Sequence, residues 1–166
     1  MRGKRKHNVH EEDFTLKLAI QDTLPVLFFL GSMVVVTFLY PSILFVIGAS
    51  CSLIAGVTKV IWKFIMALKM GNKKWLSSLF IPFQCVGFSL MLISLIVDRR
   101  LIHLEMMWKA VCSFPAGLFF LAGILGMAGM IILAMQFDQS VKSHWKAQWL
   151  NMAAQGCFFI GLLLLL

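Results

Sequence analysis

The feature that most constrains this chain is a set of four long stretches that carry no charged side chain. They span residues 23–58, 75–97, 110–137 and 147–166 and together hold 107 of the 166 residues. A bilayer core of about 30 Å is crossed by about 20 helical residues, whereas about a quarter of the residues in a soluble domain are charged. The pattern therefore predicts an all-α polytopic membrane protein.

Composition excludes the main alternatives to this interpretation. Hydrophobic residues make up 60% of the chain and charged residues 13%, and the mean hydropathy is +0.89. These values exclude a soluble globular enzyme, a disordered tail and a small disulfide scaffold. The net charge of +8 is typical of basic residues that flank membrane helices, so we do not expect nucleic acid as a partner.

The first uncharged stretch is too long for one membrane helix. Its 36 residues would form a helix of about 54 Å. Pro41, in its middle, lacks an N–H group and disfavours helical structure at Tyr40. We therefore predict a tight hairpin at Tyr40-Pro41 and a five-helix bundle in a single domain. The predicted spans are about 17–40, 42–68, 75–97, 109–136 and 146–166.

The placement of lysine and arginine favours five spans over four. With five spans, 12 of the 15 basic residues lie on one side of the membrane, whereas four spans divide them 8 to 7. Because lysine and arginine prefer cytoplasmic loops, the five-span topology predicts a cytoplasmic N-terminus and an external C-terminus. The compact chain and the strong lysine asymmetry indicate a bacterial inner membrane.

Charges at the edge of the hydrocarbon predict an ion pair between the first two helices. Asp22 and Lys59 are equally far along the chain from the turn at Tyr40-Pro41. We expect them to pair, with Lys63 one helical turn further as a second partner, because pairing lowers the cost of placing a charge there. The alternative is that Asp22 caps the first helix while Lys59 extends to the lipid headgroups.

Small residues at helical spacing predict two close helix–helix contacts. Such residues let a neighbouring helix approach closely, but their spacing does not say whether that helix belongs to the same chain. They are Gly48, Ser52 and Gly56 in the second helix, and Ala122, Gly126 and Gly129 in the fourth.

Amide side chains near the middle of the third and fifth spans predict a polar cavity. Gln84 lies in the third span, and Gln155 in the fifth shares a helix face with Asn151 and Gln148. An amide in lipid needs a hydrogen-bond partner. We predict that Gln84, Asn151 and Gln155, together with Ser52, line a cavity between helices two, three and five. The alternative is that each amide bonds to a neighbouring backbone and holds the helices together.

Catalytic and cofactor-binding patterns are missing from the sequence. There is no glycine-rich phosphate loop, zinc-protease motif, nucleophile elbow or dinucleotide fingerprint. No histidine falls within a predicted span, and the four cysteines lie one each in spans two to five without a C-x-x-C pair. We therefore predict no catalytic residue, metal or cofactor, and expect the cysteines to serve as small packing residues.

These observations favour a non-catalytic membrane protein that binds a hydrophobic or amphiphilic small molecule or transports a small solute. One alternative is an accessory subunit that docks another membrane protein through the groove at Gly48, Ser52 and Gly56. A second alternative is a lipid-modifying enzyme with Asp98, Arg99, Arg100 and His103 at the outer interface. Expected partners are the lipid bilayer, anionic headgroups on the cytoplasmic side, and a second copy or a partner membrane protein.

Overall fold

The chain folds into helices joined by short connections. The computed structural model describes residues 16–101, 108–109, 111–135 and 141–166, and no strand occurs within these ranges. A short 3₁₀ turn, Arg99–Leu101, follows the third helix. The five helices are α1 (Leu16–Leu39), α2 (Ile43–Ala67), α3 (Lys74–Val97), α4 (Ala116–Met135) and α5 (Val141–Leu163).

Four of these helices are long and apolar enough to cross a membrane, namely α1, α2, α3 and residues Ala116–Leu133 of α4. The prediction of an all-helical chain with several membrane helices is thereby confirmed. The count of five spans is one more than the length and apolarity of the described helices support. The difference lies in α5, which is free of charge after Lys146 but carries three amide side chains that lower its hydropathy.

The connection between α1 and α2 is anchored to the end of α3. Ser42 caps α2, because its hydroxyl accepts a hydrogen bond of 3.1 Å from the backbone N–H of Phe45. The same hydroxyl bonds to the carboxylate of Asp98. The buried Tyr40 hydroxyl donates to the carbonyl oxygen of Ser94 at 2.6 Å. The segment predicted to turn is thus fixed by three polar contacts, two of them to α3.

The helices pack in a row rather than around a common centre. The extensive contacts join α3 to α2, α2 to α1, α1 to α5, and α5 to α4. Helix α1 therefore lies between α2 and α5, and α3 lies on the far side of α2. This order decides which polar residues can meet.

The contact between α2 and α3 brings their backbones together. A Cβ atom added to Gly48 would lie 2.8 Å from the carbonyl oxygen of Gly87, and one added to Gly87 would lie 2.7 Å from that of Gly48. Further along α2, Gly56 faces Val26 of α1. The small-residue groove is therefore filled by helices of the same chain, which corrects the idea that it is open to another protein.

The contact between α4 and α5 uses two of the three small residues predicted for it. A Cβ atom on Gly126 would lie 2.9 Å from the Cβ of Ala154, and one on Gly129 would lie 2.9 Å from a methyl group of Leu150. Ala122, by contrast, is exposed. Close approach of this kind supplies the van der Waals contact that holds membrane helices together.

Candidate functional site

A buried carboxylate joins three helices near the start of α1. Asp22 is only 7% exposed and lies six residues, or about 9 Å, from the first residue of α1. Its Oδ2 atom forms a 2.8 Å ion pair with Nζ of Lys63 on α2. Its Oδ1 atom accepts a 2.9 Å hydrogen bond from Nε2 of Gln148 on α5. We call Asp22, Lys63 and Gln148 the polar cluster.

Asp22 pairs with Lys63 rather than with Lys59, the partner named first from the sequence. Side chains in an α-helix lean toward the N-terminus of their own helix. In an antiparallel pair, Asp22 leans toward the level of Lys63, and Lys63 leans back toward Asp22. Lys59 instead lies over the ring of Phe80 on α3, with Nζ 4.7 Å from the ring centroid.

The ion pair and the hydrogen bond from Gln148 together give each oxygen of the Asp22 carboxylate a partner. Burying two charges costs roughly several kcal/mol for each ion. An ion pair offsets this cost only where further hydrogen bonds satisfy the remaining polar atoms of both groups. Gln148 supplies such a bond from a third helix. The polar cluster therefore links α1, α2 and α5 through groups that are expensive to leave unpaired.

Buried amide atoms of Gln148 and of Gln21, the residue before Asp22, have no hydrogen-bond partner among the described residues. They are both polar atoms of the Gln21 side chain and the Oε1 atom of Gln148. Gln21 precedes Asp22 in α1 and is itself buried. Since an unpaired buried donor or acceptor costs about 1–3 kcal/mol, an arrangement of three such atoms requires an explanation.

A stripe of amides leads from the polar cluster along α5. Gln148, Asn151 and Gln155 are spaced by three and four residues and so share one helix face. The stripe covers about 10 Å of the helix. Asn151 and Gln155 are half-buried. Their face lies between the side of α5 that contacts α1 and the side that contacts α4.

The structure does not assemble the cavity predicted from Gln84, Asn151, Gln155 and Ser52. Gln84 belongs to α3, which is separated from α5 by α2 and α1. Ser52 is buried in the contact with α3 near Gly87. Only Asn151 and Gln155 lie together, in the stripe. The physical reason is the Gly48–Gly87 contact, which draws α3 to the side of α2 away from α5.

Two residues of the site were not assigned a role from sequence. Helical spacing puts Gln148 on the face of Gln155 but does not predict its bond to Asp22, and no motif marks Gln21. Gln21 could have been noticed in the sequence because it is a polar residue that precedes Asp22 at the edge of an uncharged stretch. No pattern in a single sequence indicates which helix supplies the third side of a site.

The opposite end of the helices carries an open groove of about 440 Å³ between α2 and α3. Its walls are mainly apolar, and the Asp98 carboxylate in its lining is engaged by Ser42. Arg99 and Arg100 are exposed nearby, and His103 lies outside the described residues. Among these residues, Asp98 holds the turn between α1 and α2 through its bond with Ser42.

Comparison with known proteins identifies no relative, since no family model, curated protein or solved structure matches this chain.

Proposed function

We propose that this protein binds an amphiphilic small molecule whose head group lies at the polar cluster on the cytoplasmic side of a membrane. The observation that carries the proposal is a buried ion pair between two helices, hydrogen-bonded to a third, with unpartnered buried amide atoms on Gln148 and on Gln21, the residue before Asp22 in α1. Ionisable residues inside membrane segments are costly and mark functional sites. Unpaired buried amides are satisfied when a polar group of a ligand reaches them.

The topology that accompanies this proposal has five membrane-crossing helices. α5 is the fifth. Its three amides lower its hydropathy, and one of them, Gln148, bonds to Asp22 of α1. The N-terminus is then cytoplasmic and the C-terminus external, as the lysine distribution favours. A bacterial inner membrane fits the same distribution.

Binding is favoured over transport by the length of the amide stripe. The stripe ends at Gln155, and residues 156–163 of α5 contain no polar side chain except the thiol of Cys157. A transported solute needs polar contacts through both halves of the bilayer. An amphiphile needs them only where its head group lies.

The unpartnered atoms indicate an uncharged head group. The Gln21 amide offers one donor group, and the carbonyl oxygens of Gln21 and Gln148 offer acceptors. The charges of Asp22 and Lys63 already neutralise each other. A hydroxyl or amide head group both donates and accepts, so it matches this set. The oxygens of a phosphate or carboxylate only accept hydrogen bonds, so they could not pair with the carbonyl oxygens of Gln21 and Gln148.

The test uses a monoacylglycerol as the probe, with the full chain in phosphatidylcholine nanodiscs. We expect saturable binding to the unmodified protein. Gln21→Leu removes one donor and one acceptor and should weaken binding about five- to a hundredfold, since a lost hydrogen bond costs about 1–3 kcal/mol. The same substitution should not lower thermal stability, because it removes an unpaired buried amide.

The matched control is Ser32→Ala, which removes another buried and unpartnered oxygen of α1 about 16 Å further along the helix. It should leave monoacylglycerol binding unchanged. The proposal fails if binding to the unmodified protein does not saturate, or if Gln21→Leu and Ser32→Ala have the same effect. Tighter binding of an alkyl phosphate of equal chain length would refute the uncharged head group.

The loop between α2 and α3 supports a second, weaker contact with lipid. Lys69 and Lys73 in the loop are exposed, and so are Lys74 and Trp75 at the start of α3. Lysines near an anionic leaflet contribute about 1 kcal/mol each, and tryptophan favours the membrane interface. We propose that this loop contacts anionic headgroups on the cytoplasmic side.

A further inference from the structure

The groove between the start of α2 and the end of α3 has the size of a small-molecule site. Its volume of about 440 Å³ falls within the range of about 300–1,000 Å³ that is typical of ligand pockets. Both helices supply its apolar walls, which include Ile43, Ile47 and Val97. We call it the α2–α3 groove. Along α2 it lies about 30 Å from Lys63, so it is separate from the polar cluster.

A carboxylate with an available oxygen lies at one end of this groove. Asp98 follows the last residue of α3 and lines the groove. Its Oδ2 atom accepts the hydrogen bond from Ser42. Its Oδ1 atom has no hydrogen bond or ion pair within the described residues, so it can accept a hydrogen bond from a donor in the groove.

Two cations lie beside this carboxylate. Arg99 and Arg100 form the 3₁₀ turn together with Leu101, which lines the groove as Asp98 does. Both arginines are exposed, and in the described part of the chain neither forms an ion pair with an acidic residue. A guanidinium group binds phosphate oxygens through two parallel N–H donors. The end of the groove that holds Asp98 can therefore bind an anion and a cation side by side.

The order of these groups along the helices matches a phospholipid with a zwitterionic head group. Ile47 lies one helical turn, or about 6 Å, further into the bilayer than Ile43, so the apolar wall extends inward from the charged end. An acyl chain matches that wall, a phosphate matches the two arginines, and an ammonium group matches Oδ1 of Asp98. The three parts of such a lipid follow one another in the same order.

We infer that the α2–α3 groove binds phosphatidylethanolamine, with its phosphate at Arg99 and Arg100 and its ammonium group donating to Asp98. Phosphatidylcholine has the same phosphate and acyl chains, but its quaternary ammonium group has no N–H donor. Phosphatidylglycerol has the phosphate but no cation for the carboxylate. The carboxylate therefore selects phosphatidylethanolamine from lipids that share its other parts.

The test is native mass spectrometry of the full chain released from nanodiscs that contain equal amounts of these three phospholipids with identical acyl chains. The unmodified protein should retain phosphatidylethanolamine about tenfold more than phosphatidylcholine, the effect of one hydrogen bond to a charged group. Asp98→Asn keeps an acceptor for Ser42 but removes the charge, and should bring this ratio close to one. Arg99→Gln combined with Arg100→Gln should lower phosphatidylethanolamine retention about tenfold.

Two control variants match these changes. Lys109→Gln removes an exposed cation that does not line the groove and should leave retention unchanged. Ile47→Trp fills the groove and should lower retention. Ile61→Trp should not, since Ile61 has a similar exposure, 47% against 49%, but lies about 21 Å further along α2.

The inference fails if the unmodified protein retains phosphatidylethanolamine and phosphatidylcholine equally, or if either control variant acts as strongly as its counterpart in the groove. It also fails if the double arginine variant loses phosphatidylglycerol and keeps phosphatidylethanolamine, because the occupant is then an anionic lipid. None of these variants alters the polar cluster, so monoacylglycerol binding reports on the proposed function separately.

Discussion

Removing the charge of Lys63 tests the energetic role of the polar cluster. In Lys63→Met, the Asp22 carboxylate stays buried at 7% exposure and keeps only its bond from Gln148. Breaking a buried ion pair by removing one partner costs about 3–5 kcal/mol. We expect a loss of this size in the free energy of unfolding, measured by circular dichroism during denaturant titration in mixed micelles.

Two comparison variants separate the ion pair from general effects of losing a lysine. Lys59→Met removes a half-buried cation of the same helix that lies over the Phe80 ring, a contact worth about 0.5–1 kcal/mol. Asp22→Asn combined with Lys63→Met removes both charges and should recover most of the stability. Equal losses for the two lysine variants, or a double variant that loses as much stability as Lys63→Met alone, would refute the reasoning.

Two further variants test the packing that positions the site. Gly87→Ala places a Cβ atom 2.7 Å from the Gly48 carbonyl oxygen and should destabilise the chain by about 1–3 kcal/mol. In the control Gly156→Ala, the added Cβ atom lies 3.5 Å from its nearest neighbour, so the variant should be near neutral. The unfolding midpoints of the two variants are compared, and equal midpoints would contradict the close contact. Ser42→Ala removes the cap of α2 and its bond to Asp98 and should cost about 0.5–2 kcal/mol in the same assay, while an unchanged midpoint would show that the cap is not needed.

Local signals in the sequence were sufficient to place most of the helices. The Tyr40-Pro41-Ser42 segment could be recognised as a helix boundary because proline lacks an N–H group and disfavours helical structure at the residue before it. Lys63 could be named as a partner of Asp22 because the two lie on helices joined by a short turn. Two helices joined by a short turn can pack in only a few registers. The positions of their charged residues then indicate which register is favoured.

Contacts between helices distant in sequence could not be predicted in this way. Gln84 and Gln155 have the same chemistry and similar depth, which made a shared cavity plausible. Whether they meet depends on which faces of α2 receive α1 and α3. That choice is made by steric fit at Gly48 and Gly87, and small residues indicate close packing without indicating the partner. The same limit applies to Gln148, whose role depends on the contact between α1 and α5.

The most direct test of the binding site is a side-chain amide NMR experiment on the full chain, labelled with ¹⁵N-glutamine, in phosphatidylcholine nanodiscs. Addition of a monoacylglycerol should shift the side-chain signals of Gln21 and Gln148 progressively to a plateau and leave that of Gln84 unchanged. A titration in which the Gln21 and Gln148 signals stay in place, or move only as much as that of Gln84, would contradict binding at the polar cluster.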